Sequence, residues 1–250
     1  MNPDYPFASR KFSLSVTAIA MLLMFLFTSC VKDPLPQEPE DPDPVLPTEI
    51  HFSILGDSYS TFQGYVTPGS NDVWPYYENI GVTEVGQMWW YQVSQATGWI
   101  LDCNNSFSGS LISNMNYGNY FGPHSFLRRM DDLGDPDVIL VFGGTNDIWD
   151  GVPMGEYLYG NWTEEGLCTF RPALACLFDG LRSHYPKAKI WFMADCVLGD
   201  EFLESVHTIA THYEVPCIEL RDITKDWDHP NVAGMTDIAT QVLAAVQEPA

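Results

Sequence analysis

The chain has 250 residues, of which 46% are hydrophobic, and a formal net charge of -22. That length suits one domain of about 200 residues with appendages, and that composition supplies a real core. The charge argues against a nucleic-acid partner, because phosphate binding needs clustered Lys and Arg, and the basic residues gather no more densely than in pairs such as Arg128-Arg129.

Residues 1–29 read as a secretory leader. Arg10 and Lys11 precede an apolar run from Phe12 to Phe27, the charged and hydrophobic regions of a signal peptide. The run ends in Phe27-Thr28-Ser29-Cys30, which resembles a bacterial lipobox. The resemblance implies cleavage before Cys30 and lipidation of Cys30 itself. Val31, in place of Asp, resembles the pattern of lipoproteins sent on to the outer membrane. The other reading of the run is an uncleaved membrane anchor. Either way, the rest of the chain is expected outside the cytoplasm. Residues 30–49 are dominated by proline and acid, have little to pack, and read as an extended tether.

The domain is expected over residues 50–250. Five short apolar runs recur there: 50–55, 99–103, 137–143, 189–194 and 215–220. Helical patterns fill the gaps over 85–97, 125–133, 163–185, 200–213 and 230–247. Thr163 is a candidate cap for the third, and Pro230 suits the first position of the last. Near-continuous apolar strands alternating with amphipathic helices mean a parallel sheet covered on both faces. The fold class is therefore α/β, a three-layer α/β/α sandwich with a mostly parallel five-stranded sheet.

Five cysteines remain after Cys30, and an odd number excludes a fully paired disulfide framework. Cys168 and Cys176 share a predicted helix about 12 Å apart, too far to bridge. Cys103 and Cys217 fall in predicted strands and read as buried small hydrophobes. No metal-ligand spacing occurs, and His207 and His212 read as surface or packing residues. No cofactor or metal is expected.

Sites in such sheets form beyond the carboxyl ends of the strands. Gly56-Asp57-Ser58-Tyr59-Ser60 follows the first strand, and a polar loop with Gly109 follows the second. Gly144-Thr145-Asn146-Asp147 follows the third, and Asp226-x-x-His229 follows the fifth. Each has an ordinary reading alone: a helix cap at Ser58, a turn glycine at Gly109, an Asx turn at Asn146-Asp147, a surface His229. Together, in this order, they resemble the four sequence blocks of the GDSL or SGNH hydrolase superfamily, over the whole domain.

That resemblance implies an SGNH, flavodoxin-like sandwich and a serine esterase. Ser58 would be the nucleophile, His229 its general base, and Asp226 the acid that orients His229. Asp228 is a competitor for the last role; the family spacing favours Asp226. The backbone N–H groups of Ser58 and Gly109 and the Asn146 amide would form the oxyanion hole. The chemistry agrees: a serine hydroxyl needs a base, histidine serves near neutral pH, and Pro230 keeps His229 out of a helix.

The expected substrate follows from the loops. They carry Tyr59, Tyr65, Trp74, Tyr76, Tyr77, Tyr117, Tyr120, Phe121, Trp149, Tyr157, Tyr159, Trp162 and Trp227 among Asn, Asp and Gly. Such rings suit stacking on sugars, and Tyr59, Asp147, Trp149 and Trp227 are the candidate contacts; Trp89 and Trp90 read as core. The expected substrate is a small-molecule or glycan ester, with acetyl removed from a sugar hydroxyl by a monomer held to membrane only through its lipid. The acidity disfavours a polyanionic glycan unless Arg128, Arg129 or Arg171 compensates. The alternatives are a lipase or lysophospholipase, an acyltransferase, and a non-catalytic glycan-binding lipoprotein.

Overall fold

Each of the five apolar runs forms a strand in the computed structural model, which describes residues 49–67, 80–115 and 122–247. The chain divides into two units, Met1–Leu46 and Pro47–Ala250, and the described residues all belong to the second. The leader, Cys30, most of the tether, and Trp74, Tyr76, Tyr77, Tyr117, Tyr120 and Phe121 lie outside the described residues. Among the described residues, no helix is long and apolar enough to cross a membrane.

The strands are β1 (His51–Gly56), β2 (Ile100–Ser106), β3 (Val138–Phe142), β4 (Lys189–Asp195) and β5 (Cys217–Leu220). They pair in the order β2-β1-β3-β4-β5, and every pairing is parallel. Strand side chains alternate between faces, so the central strands feed two cores. Leu55, Ile139, Val141, Phe192 and Ala194 enter one core with helices α4 (Phe170–His184) and α5 (Asp200–His212). Phe52, Ile54, Leu140, Phe142 and Met193 enter the other with α1 (Trp89–Thr97) and α6 (Val232–Gln247). This is the expected three-layer α/β/α sandwich.

The helix α4 shows why the layers hold. Phe170, Ala173, Leu174, Leu177, Phe178 and Leu181 recur at helical spacing and are all fully buried. Burying each large side chain is worth roughly 1.5–3 kcal/mol. Trp89 and Trp90 are core, as expected.

Several boundaries differ from the sequence reading. The predicted helix over 163–185 begins only at Phe170, after a 3-10 turn at Gly166–Cys168. Pro172 explains the late start: it lacks an N–H and fits only the first turn. Thr163 therefore caps no α-helix; its hydroxyl accepts from the Gly166 N–H at 3.0 Å. Cys168 and Cys176 consequently lie in separate helices. Cys103 and Cys217 are only partly buried, and all five described cysteines are free. The segment 125–133 keeps only a short α2 (Phe126–Arg129), and the pattern at 85–97 breaks at Met88. Pro230 is not helical; α6 starts at Val232, with the Asn231 side chain accepting from the Gly234 N–H at 3.0 Å. His207 bridges Glu219 at 2.9 Å and His212 stacks on Tyr159, so both are packing residues.

Two of the elements that were not anticipated bear on the site. One is α3 (Thr145–Trp149), directly after β3. The other is a small antiparallel ribbon, β6 (Lys225–Asp226) with β7 (His229–Pro230).

Candidate active site

The strand β1 has β2 on one side and β3 on the other, so the chain connections diverge there. A crevice forms at the carboxyl ends around such a switch point. Ser58 lies two residues beyond the end of β1. Its turn is fixed locally: the Ser60 N–H donates to the Asp57 carbonyl at 3.1 Å, and the Tyr59 N–H donates to the Asp57 carboxylate at 3.0 Å.

His229 arrives from the far end of the chain on the β6–β7 ribbon. Asp226 and His229 face each other there, and Trp227 and Asp228 form the tip with φ of 51° and 66°. Two consecutive left-handed residues make the mirror-image turn that suits a two-residue hairpin. The tip directs His229 Nε2 to the Ser58 hydroxyl at 3.1 Å and Nδ1 to the Trp227 carbonyl at 3.4 Å. A carbonyl can only accept, so the proton belongs on Nδ1, and Nε2 is left as the acceptor for Ser58. Burial, the largest influence, pushes the imidazole below its ordinary pKa; Lys225 acts the same way, whereas the Trp227 carbonyl and Asp228 oppose it.

The structure does not bring the Asp226 carboxylate to His229. Asp226 is exposed, and its carboxylate accepts from the Asn231 amide at 2.9 Å. Among the described residues, no salt bridge joins His229 to Asp226 or Asp228. The tight turn brings a main-chain carbonyl to Nδ1 instead, and Asn231 holds the carboxylate.

The other strand ends converge on Ser58. Gly109 (φ 76°) sits in a turn closed by the Ser110 N–H on the Phe107 carbonyl at 3.1 Å. Its left-handed backbone suits glycine. The N–H groups of Ser58 and Gly109 donate to no described residue. Asn146, on α3, donates its amide to the Ser110 carbonyl at 2.9 Å and lies 3.4 Å from the Asp57 carboxylate. One side-chain amide thus ties the third strand end to the other two.

The four candidate substrate contacts divide by exposure. Tyr59 and Asp147 are fully buried. Asp147 accepts from the N–H groups of Ile112 and Ser113 at 2.7 and 3.0 Å, which anchors the loop after Gly109. Trp149 and Trp227 are exposed, at 47% and 88%, and the Trp149 ring lies 6.2 Å from that of His229.

Arg129, a candidate for offsetting substrate charge, is a buried brace. Its guanidinium donates to the carbonyls of His124 (2.7 Å), Asn105 and Gly56 (3.1 Å), and to the Ser110 hydroxyl (2.9 Å). Arg171 is likewise engaged by Ser205, Gly155 and Glu201. Burial lowers the Arg129 pKa to about 9 and raises that of Asp57 to about 7, each partly offset by the other's charge. Burial also pushes Asp147 up. Only the paired basic residues hinted at Arg129; nothing in the sequence marked it as buried.

A cleft of about 370 Å³ opens beside the ribbon, with Asp195, Cys196, Arg221 and Lys225 in its lining. Its lining includes neither Ser58 nor His229. Among the described residues, no three His, Cys, Asp or Glu side chains gather as metal ligands would.

Residues 50–246 match the family model for the GDSL-like lipase/acylhydrolase. Comparison with curated proteins gives no match. Among solved structures, the chain is similar to a protein assigned as a GDSL-like lipase from Bacteroides ovatus. That match has 44% identity and a TM-score of 0.77, over 81% of this chain and 100% of that one. A counterpart from Bacteroides uniformis has 42% identity and a TM-score of 0.74, over 79% and 95%. A family two carbohydrate esterase from Clostridium thermocellum, solved with cellohexaose, shares the fold at 17% identity and a TM-score of 0.55, over 80% and 65%.

Proposed function

We propose that this chain, which belongs to the GDSL-like lipase/acylhydrolase family, removes small acyl groups, acetyl first, from carbohydrate hydroxyls through an acyl-Ser58 intermediate. The observation that carries the proposal is the 3.1 Å approach of the Ser58 hydroxyl to His229 Nε2.

Ser58 Oγ attacks the ester carbonyl carbon while Nε2 takes the hydroxyl proton. The displaced electron pair rests on the carbonyl oxygen, facing the N–H groups of Ser58 and Gly109 and the Asn146 amide. Collapse breaks the bond to the leaving alcohol, which recovers the proton from Nε2. Water then attacks the acyl-serine with His229 as base, and the carboxylic acid leaves. Each oxyanion donor is worth roughly a hundred- to a thousandfold in rate. The Trp227 carbonyl keeps the imidazole in the working tautomer, and Asp228 supplies nearby negative charge as imidazolium forms.

The sugar reading draws on two exposed indoles, Trp149, whose ring lies 6.2 Å from that of His229, and Trp227, two residues before the base. Flat aromatic faces among polar groups suit pyranose rings better than acyl chains. Likeness of fold to the cellohexaose-bound esterase is in keeping with this. Lipidation at Cys30 and an outer-membrane location, read from the leader, complete the proposal.

Turnover of acetylated xylan or cello-oligosaccharides against nitrophenyl butyrate and a lysophospholipid tests the substrate class. Acetate release from the glycans at the highest kcat/KM is the expected result. A clear preference for the lysophospholipid would replace this reading with a lipase. Transfer of acetyl to added sugar in place of hydrolysis would replace it with an acyltransferase.

A further inference from the structure

With the Asp226 carboxylate held by Asn231, the ribbon that carries the base is fixed by something else. Its tip is intrinsically unfavourable, because Trp227 and Asp228 are both non-glycine residues in the left-handed region. Such residues persist only where their surroundings over-determine them.

Tyr59 is the first of those surroundings. It follows the nucleophile directly and is fully buried. Its hydroxyl donates to the Asp228 carbonyl at 2.5 Å, at the ribbon tip. Its ring meets the His229 ring edge-on, with centroids 5.2 Å apart and planes at 73°, and it also packs on Phe142 and Trp149. The Tyr59 backbone is pinned at the other end: its N–H donates to the Asp57 carboxylate, and its carbonyl accepts from the Trp89 indole at 3.2 Å. The second support is the ion pair between Lys225 and Asp195, which ties β6 to the end of β4. Its ammonium lies 5.1 Å from the Tyr59 ring centroid.

We propose that Tyr59 is a positioning residue: its hydroxyl clamps the Asp228 carbonyl and so registers His229 against the adjacent Ser58. The inference rests on the proposed esterase mechanism. One rigid side chain, covalently next to the nucleophile, sets where the base stands. Without its hydroxyl the tip can relax from its left-handed conformation. The Trp227 carbonyl then leaves Nδ1, and Nε2 leaves Ser58.

Tyr59→Phe tests this, because it removes only the hydroxyl and keeps the ring in the core. In the full-length protein, kcat for nitrophenyl acetate should fall about ten- to a hundredfold with KM within about twofold, since a misplaced base loses transition-state and not ground-state stabilisation. The rate of Ser58 labelling by a fluorophosphonate should fall in parallel. A purely structural tyrosine would instead lower the unfolding temperature and leave both rates intact. The NMR signals of the His229 ring give a readout that needs no turnover. Wild type should hold the proton on Nδ1, and Tyr59→Phe should mix the tautomers. Inactive wild type would defeat the esterase reading alone, and the ring signals would still decide the role of Tyr59. Unchanged kcat in an active enzyme, or unchanged ring signals in either case, would overturn the inference.

Discussion

Ser58 and His229 stand 171 residues apart in the chain, yet the serine hydroxyl lies 3.1 Å from the imidazole Nε2. The end of β1 delivers one and the β6–β7 ribbon the other. At Nδ1 the main-chain carbonyl of Trp227 lies 3.4 Å away, a long hydrogen bond. A neutral carbonyl fixes the tautomer but stabilises imidazolium less than a carboxylate would. Such bonds commonly tighten when substrate arrives.

Asp226→Ala separates this arrangement from a full triad. The residue is exposed and bonded to Asn231, so its loss should change kcat/KM by no more than about threefold, as for an ordinary surface change. A carboxylate that truly orients the base is worth about ten-thousandfold. His229→Ala, measured alongside, should lose at least about a thousandfold.

The pH profile follows from His229. The base works when neutral, so activity is present above its folded pKa and is lost as pH falls through it. Burial, seconded by Lys225, sets that pKa below the ordinary imidazole value, with Asp228 opposing. The acid limb of kcat/KM should therefore lie below that of a free histidine. Lys225→Met should move it upward, and a limb that stays in place would contradict this electrostatic picture.

Asp57 makes stability depend on pH in the opposite sense to a salt-bridged carboxylate. Its folded pKa is raised to about 7 from 3.8. Between those values the folded state binds more protons than the unfolded state, so its contribution to stability falls as pH rises through that window. Above it the penalty is constant. Asp57→Asn, which retains an acceptor for the Tyr59 N–H, should gain on the order of 1–3 kcal/mol relative to wild type between pH 4 and pH 8. Urea unfolding at the two pH values reads this directly, and a difference independent of pH would contradict it.

Arg129 should prove a stability residue and not a substrate contact. Arg129→Met strips donors from the carbonyls of Gly56 and Asn105 and from the Ser110 hydroxyl, and should destabilise by about 3–5 kcal/mol. Arg129→Lys should recover little, because one ammonium cannot reach partners set for a planar fork. Urea midpoints of both variants check this.

The sheet was legible because each buried strand is a short, almost unbroken apolar run, as in Val138–Phe142. The position of Ser58 was legible because a polar Gly-Asp-Ser ends such a run. Asp226 misled because sequence spacing says nothing of which acceptor a two-residue turn presents, and the turn came from left-handed Trp227 and Asp228, where a glycine would have signalled it. Tyr59 and Asp147 misled because loop residues are ordinarily exposed, whereas these two are buried and bonded to main chain. The burial of Arg129 was invisible for the same reason: its partners are mostly main-chain carbonyls that no residue type advertises.

The most direct test of the central claim is hydrolysis of nitrophenyl acetate by the wild-type protein beside Ser58→Ala. Turnover is expected in wild type, and its loss, to the background rate, in the variant. Equal turnover in Ser58→Ala would contradict the mechanism at its first step.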